Sequence, residues 1–188
     1  MLGNAFGSLR RLKMALDIEN FEEIGERMTS LTKLRIPHGL LDKFKMLPKL
    51  SEISDYAPKN ISSGPVMEFI ETSNPTLDSL PIIKSFPKDS GRFITFGITV
   101  SKNPETEIRN LGVYRLQVIS SKKAIMHWQV HKRGALHYQM NKDNMQKTEV
   151  AIIIGADPAT VFSAVAPVPE GLDKFLFAGI TRKKGIDL

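Results

Sequence analysis

The residues best able to do chemistry are concentrated in one stretch, Ile108 to Tyr138. It holds three of the four histidines, the only tryptophan and two of the three tyrosines. Arginine, glutamine and histidine alternate there with apolar residues, and such side chains suit a lined ligand pocket because they donate and accept hydrogen bonds. An ordinary solvated face would give the same alternation, so periodicity alone leaves both interpretations open.

A hairpin is predicted to position these residues. Val113–Ile119 and Ala124–Val130 both alternate in the manner of strands, and the polar Ser120–Lys123 has the length of a hairpin turn. A register slip of one residue would exchange the two faces. The predicted apolar face consists of Tyr114, Leu116, Val118, Met126, Trp128 and Val130. The predicted polar face consists of Arg115, Gln117, His127, Gln129 and His131.

The first third of the chain has the spacing of amphipathic helices. Asn20, followed three residues later by Glu23, forms a capping box for the second helix. A third amphipathic segment is predicted over residues 40–53. Prolines then forbid a continuous helix from residue 56 to 89, where Val66–Ile70 is predicted to be a short strand.

The remaining elements are mostly strands. Phe93–Val100 predicts one strand, in which Gly97 would let a ligand or another backbone approach closely. Val150–Ile154 has the apolar run of a buried strand, and Asp157 is a natural N-cap for a helix that begins at Pro158. A last helix is predicted over residues 171–178. Helices followed by antiparallel strands indicate an α+β fold.

Composition excludes several classes of protein. The 188-residue chain has no cysteine, so it forms no disulfide framework and carries no thiolate nucleophile. It has neither a signal peptide nor an apolar run of the roughly 18 residues that cross a bilayer, so we expect a cytoplasmic protein without a membrane partner. The formal charge is +6, but the basic clusters Lys132–Arg133 and Arg182–Lys184 are not interleaved with aromatic residues. We therefore expect no nucleic-acid partner and assign a few cations to a phosphate-bearing ligand.

Several motifs carry a resemblance to a known family. Ile108–Val118 and Met126–Ala135 closely resemble the UbiD-type decarboxylases, and further motifs follow in the family's order. These are Asn4–Ser8, Pro87–Thr95, Gly155–Pro158 and Phe177–Gly179. The family's chains are much longer, so the resemblance is to its amino-terminal and flavin-binding portion, with the carboxy-terminal domain absent.

The resemblance implies a fold and an activity. It implies a split β-barrel flavin-binding domain of mainly antiparallel strands over residues 56–188, preceded by a helical annex over residues 1–55. UbiD-type enzymes use prenylated FMN to decarboxylate aromatic or α,β-unsaturated acids. A divalent metal, usually manganese, bridges the cofactor phosphate to the protein.

The resemblance also assigns roles to residues of this sequence. Asn110 and His131 match metal ligands; without the family they would be a turn-forming residue and a hydrogen-bonded strand end. Arg115 matches an arginine that positions a catalytic acid, although the proton donor itself is not in this chain. The residues that match cofactor-binding positions are Val113, Tyr114, Arg115, His127, Trp128, Gln129, Lys132 and Arg133.

One departure from the family puts the metal in doubt. The third ligand is a glutamate in the family, and Lys174 stands at that position. An ammonium repels a divalent cation, so the site is expected to be weakened, rearranged or lost. Asp173 is a substitute if the helix start shifts by one residue, and Glu170 is a more distant candidate.

Two functions follow as hypotheses. The first is a carboxy-lyase component that binds prenylated FMN and is incomplete alone. Its partner would be a second subunit carrying the missing carboxy-terminal domain, or further copies in a homo-oligomer. The second is a non-catalytic subunit for flavin-phosphate binding or assembly. The substrate within the class of aromatic or unsaturated acids stays open.

Overall fold

The computed structural model describes residues 5–32, 51, 53–168 and 172–188. The chain forms two compact units, Met1–Asn60 with Asp157–Leu188, and Ile61–Ala156. We call them the helical unit and the sheet unit. The predicted domain boundary between residues 55 and 56 is a statement about the family's domains and stays a prediction.

The elements follow one another in this order. The helices are α1 Leu9–Leu16, α2 Glu22–Thr32, α3 Arg133–Asp143, α4 Pro158–Val165 and α5 Lys174–Arg182. The strands are β1 Arg92–Ile94, β2 Ile98–Lys102, β3 Arg109–Val113, β4 Leu116–Ser120, β5 Lys123–Met126 and β6 Ala151–Ile153.

Local capping explains where several helices of the helical unit begin. Ser8 is the last residue of the first family motif. Its hydroxyl accepts the Arg11 N–H at 3.3 Å at the start of α1. The Glu23 carboxylate accepts the N–H of Asn20 at 3.0 Å, as the predicted capping box requires. Asp157 caps α4 through two backbone N–H groups, as predicted. The predicted amphipathic segment over residues 40–53 lies almost wholly outside the described residues.

Apolar side chains form the core of the helical unit, as helix stripes predict. Phe177 of α5 is 6% exposed and stacks on Phe162 of α4 with ring centroids 6.1 Å apart. Gly179, two residues later, packs so closely on the Tyr56 carbonyl that any Cβ would collide with it. The Phe-Ala-Gly motif therefore has a packing reason. Two clusters of this core contain the buried residues Leu16, Ile18, Ile24, Ala159, Ala166, Val168 and Phe177.

The sheet unit contains two antiparallel three-stranded sheets, with strand orders β1-β4-β5 and β3-β2-β6. The prediction of one continuous strand over Phe93–Val100 is wrong, because β1 lies in the first sheet and β2 in the second. Gly97 lies between these strands, and a Cβ there would be 2.9 Å from Cγ2 of Ile152. The groups that approach Gly97 closely are therefore side chains, whereas the prediction was a ligand or another backbone segment.

The predicted hairpin exists, but its arms are shorter. Leu116 pairs with Met126 in β4 and β5, and Leu116 and Val118 are buried as predicted. The first arm starts late because Val113 ends β3, which pairs with β2. The second arm ends at Met126, and Val130 is 85% exposed, so its predicted place on the apolar face is wrong.

Three further predictions differ from the structure. Val66–Ile70 is not a strand: Pro65–Met67 forms a 3-10 turn, and Val66 is 88% exposed. The last helix runs over Lys174–Arg182 and not over residues 171–178, since Asp173 accepts the Phe175 N–H and sets the start. Val150–Ile154 does contain a strand, β6, but the prediction that it is buried is wrong, because Val150 is 39% and Ile154 53% exposed.

The architecture is a mixed fold of helices and antiparallel sheets. The strands of the described residues form two open sheets and no closed barrel. The split-barrel arrangement therefore stays a prediction. Among the helices in the described ranges, none is both long enough and apolar enough to cross a bilayer.

Candidate functional site

The central side chain of the candidate site is Tyr114, which follows β3 and is 3% exposed. Its ring lies against Gly112, where a Cβ would be 2.5 Å from Cε2 of the tyrosine. Its hydroxyl accepts the N–H of Gly134 in the first turn of α3 at 3.0 Å. A Cβ at Gly134 would lie 2.6 Å from that hydroxyl. The two glycines thus make room for the tyrosine between strand and helix.

Asn110 belongs to the same group of contacts. It lies on β3, is 3% exposed, and its side-chain amide hydrogen-bonds to the Tyr114 hydroxyl. Burial raises the pKa of Tyr114, whereas the Gly134 N–H, the Asn110 amide and the charge of Arg133 each lower it. The phenol stays protonated at neutral pH because the net shift is upward from 10.0.

Aromatic and cationic groups complete the cluster. The Trp128 ring meets the Tyr114 ring edge-on, with centroids 4.9 Å apart, and stacks on Tyr138 at 5.9 Å. The Lys132 ammonium lies 5.4 Å from the centroid of the Tyr114 ring. We call Tyr114 and the residues that contact it, Asn110, Trp128, Lys132 and Gly134, the Tyr114 cluster.

The start of α3 is suited to an anion. Lys132 is its N-cap residue and makes no side-chain cap, and Arg133 is its first residue. The first turn contains no acidic residue. Cations at the positive end of a helix dipole are unfavourable, and an anion bound there would relieve the repulsion.

Beneath α3 lies a polar layer where most helices bury apolar side chains. His137 is 2% exposed, and its Nδ1 lies 3.0 Å from the hydroxyl of Ser101 on β2. Asn141 donates its amide to the His137 carbonyl at 2.9 Å. Burial, and secondarily the charge of Arg133, lowers the pKa of His137. Thr99 on β2 is fully buried, and its hydroxyl has no hydrogen-bond partner among the described residues.

The other predicted site residues lie at the surface of the sheet unit. Val113 is half-buried at the end of β3. The exposed Arg115 places its guanidinium carbon 4.7 Å from the Phe93 ring centroid. His127, Gln129 and His131, which follow β5, are also exposed.

Lys174 and Asp173 belong to the helical unit. Lys174 is 9% exposed, and its ammonium donates to the carbonyl of Ala164 near the end of α4 at 3.0 Å. Asp173 accepts the Phe175 N–H at 2.7 Å and caps α5. Both side chains therefore have structural roles that explain their residue types without a metal. Glu170 lies outside the described residues.

The donor set does not fit the divalent metal that the resemblance implies. An amide oxygen and an imidazole suit such an ion, but the residue that matches the third ligand is a lysine, whose ammonium has no acceptor atom to coordinate a metal. Within the described residues, no three histidine, aspartate or glutamate side chains are grouped to hold a metal.

Sequence reasoning missed α3 and the residues beneath it. The buried residues of α3 are Gly134, His137 and Asn141, so its inner face carries no apolar stripe for periodicity to detect. Their spacing of three and four residues was the available signal, because these positions share one helix face.

The family is decided by a sequence model described as "UbiD: 3-octaprenyl-4-hydroxybenzoate carboxy-lyase Rift-related domain", which matches residues 59–188. The chain belongs to the UbiD family. Its matches to curated relatives include uncharacterized proteins from Aquifex aeolicus, 44% identical over 188 residues, and Archaeoglobus fulgidus, 46% identical over 182. This UbiD chain spans 39% and 37% of the lengths of these relatives.

Solved structures of UbiD-class enzymes share the fold. The enzyme HmfF from Pelotomaculum thermopropionicum, in complex with FMN, superposes with a TM-score of 0.75 at 20% identity, over 96% of this chain and 36% of HmfF. Vanillic acid decarboxylase from Sedimentibacter hydroxybenzoicus, in its closed form, gives a TM-score of 0.75 at 20% identity, over 98% of this chain and 37% of that one. At this identity the likeness is one of fold.

Proposed function

We propose that this chain binds prenylated FMN as a component of a UbiD-type decarboxylase that acts on an aromatic or α,β-unsaturated carboxylic acid. The observation that carries the proposal is the Tyr114 cluster. It joins a buried amide, two aromatic rings and a cation at the start of a helix. The split barrel over residues 56–188, the annex over residues 1–55 and a cytoplasmic location belong to this proposal.

The cations Lys132 and Arg133 would hold the cofactor phosphate. Both stand at the start of α3, where backbone N–H groups also favour an anion. Charge-assisted hydrogen bonds to phosphate are roughly twice as strong as neutral ones. The buried amide of Asn110 would bind nearby, through its contact with Tyr114.

The flavin ring would lie along the residues that match the family's cofactor positions. These are Val113, Tyr114, Arg115, His127, Trp128 and Gln129. The prenylated flavin supplies the electron sink for loss of carbon dioxide when it is bound. Arg115 would orient an acid from a second polypeptide or domain, because a guanidinium favours the charged form of a neighbouring carboxyl group.

Manganese is not part of the proposed mechanism, because Lys174 does not fit the donor set. His131 is exposed and would contribute at most a weak site together with Asn110. Phosphate binding would then depend on the protein's own cations.

The buried ammonium of Lys174 favours a second candidate function. At a position where the family has a glutamate ligand, this side chain instead connects α5 to the Ala164 carbonyl. Such a replacement is typical of a subunit that keeps the fold and binds flavin phosphate but does not catalyse. A homo-oligomer or a complex with a catalytic subunit is then the working form.

Titration calorimetry of the purified chain with FMN and with riboflavin tests the shared part of both candidates. We expect FMN to bind at least about tenfold more tightly, because only FMN carries the phosphate. Equal affinity for both flavins, or no binding of either, would contradict the proposed site.

Measuring carbon dioxide release separates the two candidates. The chain would be reconstituted with prenylated FMN, alone and together with a polypeptide covering the part of the Aquifex relative that it does not match. We expect no release by the chain alone, since a proton donor is missing. Release with the added polypeptide supports the decarboxylase component; no release with any tested acid supports the non-catalytic subunit.

A further inference from the structure

Tyr114 contacts the strand, the helix and one of the two cations of the proposed phosphate-binding site. Its hydroxyl accepts the Gly134 N–H at 3.0 Å, which ties it to the first turn of α3. The same hydroxyl bonds to the side-chain amide of Asn110 on β3. The face of its ring lies 5.4 Å from the ammonium of Lys132. One side chain therefore connects strand, helix and cation.

The tyrosine itself is held firmly. It is 3% exposed, and its ring is enclosed by Gly112, Gly134 and the edge of Trp128. Adding a Cβ at either glycine would produce a contact of 2.5 or 2.6 Å with the tyrosine. Little rotation of the ring is possible without moving β3 or α3, so the hydroxyl has a defined position.

The start of α3 is not stabilised by its own residues and depends on groups from outside the helix. It has no side-chain cap and no acidic residue in its first turn, and it begins with two cations at the positive end of the helix dipole. The face that α3 buries consists of a glycine, a histidine and an asparagine, so apolar packing contributes little to holding it. The Tyr114 hydroxyl takes the place of the missing cap.

We propose that Tyr114 is a positioning residue for the flavin phosphate. Its hydroxyl holds the first turn of α3 at a fixed distance from Asn110, and thereby holds Lys132 and Arg133 where a phosphate can bind both. This role rests on the proposed function. In it, Tyr114 does not contact the phosphate but holds Lys132 and Arg133, which do.

The variant Tyr114→Phe tests this role because it removes the hydroxyl and keeps the ring. We expect the Kd for FMN to rise about tenfold, the loss that corresponds to one hydrogen bond to a buried group. The Kd for riboflavin should stay within about twofold, because riboflavin has no phosphate to be positioned. If Tyr114 had only a structural role, its loss would raise the Kd for FMN and the Kd for riboflavin by the same factor.

Tyr138→Phe is the matched control. Tyr138→Phe is the same chemical change beside the Tyr114 cluster, on the other side of Trp128, but Tyr138 is 41% exposed and the described residues give its hydroxyl no hydrogen bond. We expect both Kd values to stay within about twofold of the original chain. A tenfold effect on FMN in this control would overturn the assignment to Tyr114.

A double-mutant cycle tests whether Tyr114 acts through Lys132. In the double variant Tyr114→Phe/Lys132→Ala, the Kd for FMN should rise by clearly less than the product of the two single-variant increases. The reason is that Lys132→Ala then removes a cation that Tyr114→Phe has already displaced. Effects that multiply would show independent roles and overturn the proposal.

Failure of this inference differs from failure of the proposed function. If the original chain prefers FMN to riboflavin and Tyr114→Phe keeps that preference, the positioning role is overturned and the proposed function stands. If the original chain binds neither flavin, the proposed function fails. In that case the positioning role for a phosphate fails with it. Where Tyr114→Phe weakens FMN binding, hydrogen exchange adds a second check: unchanged exchange at the Gly134–Leu136 amides overturns the positioning role, and faster exchange at these amides supports it.

Discussion

Helices α3 and α5 are of similar length but are held in opposite ways. Helix α5 begins with a capping carboxylate, Asp173, and buries Phe175, Phe177 and Ile180. Helix α3 begins with Lys132, makes no side-chain cap, and buries Gly134, His137 and Asn141. The difference shows that a helix fixed by its own sequence builds the core, whereas a helix fixed by distant polar partners forms the candidate site.

The largest effect is expected from Phe177→Ala in α5. Phe177 is 6% exposed and stacks on Phe162, so its truncation should lower the free energy of unfolding by about 3–5 kcal/mol. Leu136→Ala in α3 is the matched control, since Leu136 is 51% exposed and should change stability by less than about 0.5 kcal/mol. Urea denaturation measures both. Similar losses in the two variants would mean that α3 also depends on apolar packing.

A smaller loss is expected from Lys174→Glu. The Lys174 ammonium donates to the Ala164 carbonyl near the negative end of α4, and a carboxylate there would replace a donor with a repelled acceptor. We expect the free energy of unfolding to fall by about 2–3 kcal/mol, the value of a hydrogen bond to a charged group.

Lys174→Met is the control for this change, because it keeps the aliphatic stem and should lose about half as much. Thermal unfolding of the three forms compares them. If Lys174→Glu is as stable as the original chain, the position accepts an acid and the family's glutamate would fit there.

The buried histidine of α3 predicts a pH dependence. The pKa of His137 is lowered from 6.5 in the folded chain, so the unfolded chain binds a proton that the folded chain does not. Stability should therefore fall as the pH drops below 6.5, by up to about 1.4 kcal/mol per pH unit. The fall ends below the folded-state pKa.

His137→Gln should remove this part of the slope, whereas His127→Gln is the control at an exposed position. Denaturation at a series of pH values from neutral to mildly acidic compares the two variants. An unchanged slope in His137→Gln would mean that other groups cause the acid sensitivity.

The smallest effects concern the first residues of the two helices. Asp173→Ala removes a side-chain cap and should cost about 1 kcal/mol. Lys132→Ala removes no cap and should change stability by less than about 0.5 kcal/mol, because it loses only an exposed cation–π contact and relieves repulsion by the helix dipole. Chemical denaturation checks both. A larger loss for Lys132→Ala would contradict the contrast between the helices.

The elements that could be predicted from the sequence are those determined by residues close together along the chain. The caps at Glu23 and Asp157 lie within a few residues of the N–H groups they bind, so spacing alone predicts them. The hairpin was found for the same reason, since a four-residue polar turn separates two alternating runs. Of the candidate site, family motifs pointed to Asn110, Tyr114 and Lys132, which the structure brings into one cluster.

The elements that sequence reasoning missed depend on partners far along the chain. Gly97, between β1 and β2, packs against the Ile152 side chain, 55 residues away in sequence, so no local pattern predicts that Phe93–Val100 divides between two sheets. Helix α3 lacks an apolar stripe because its inner face meets Ser101 and Tyr114. Lys174 looked like a lost metal ligand until its bond to Ala164 gave it a structural role.

The sequence by itself determined the family, the helices with their own caps, and the residue types available to a phosphate-bearing ligand. These follow from order and short-range spacing, which the chain carries without folding. Only the tertiary structure decided that a tyrosine hydroxyl serves as the cap of α3 and connects it to Asn110. The physical reason is that a buried hydrogen bond between distant segments depends on distance in space, which a linear sequence does not specify.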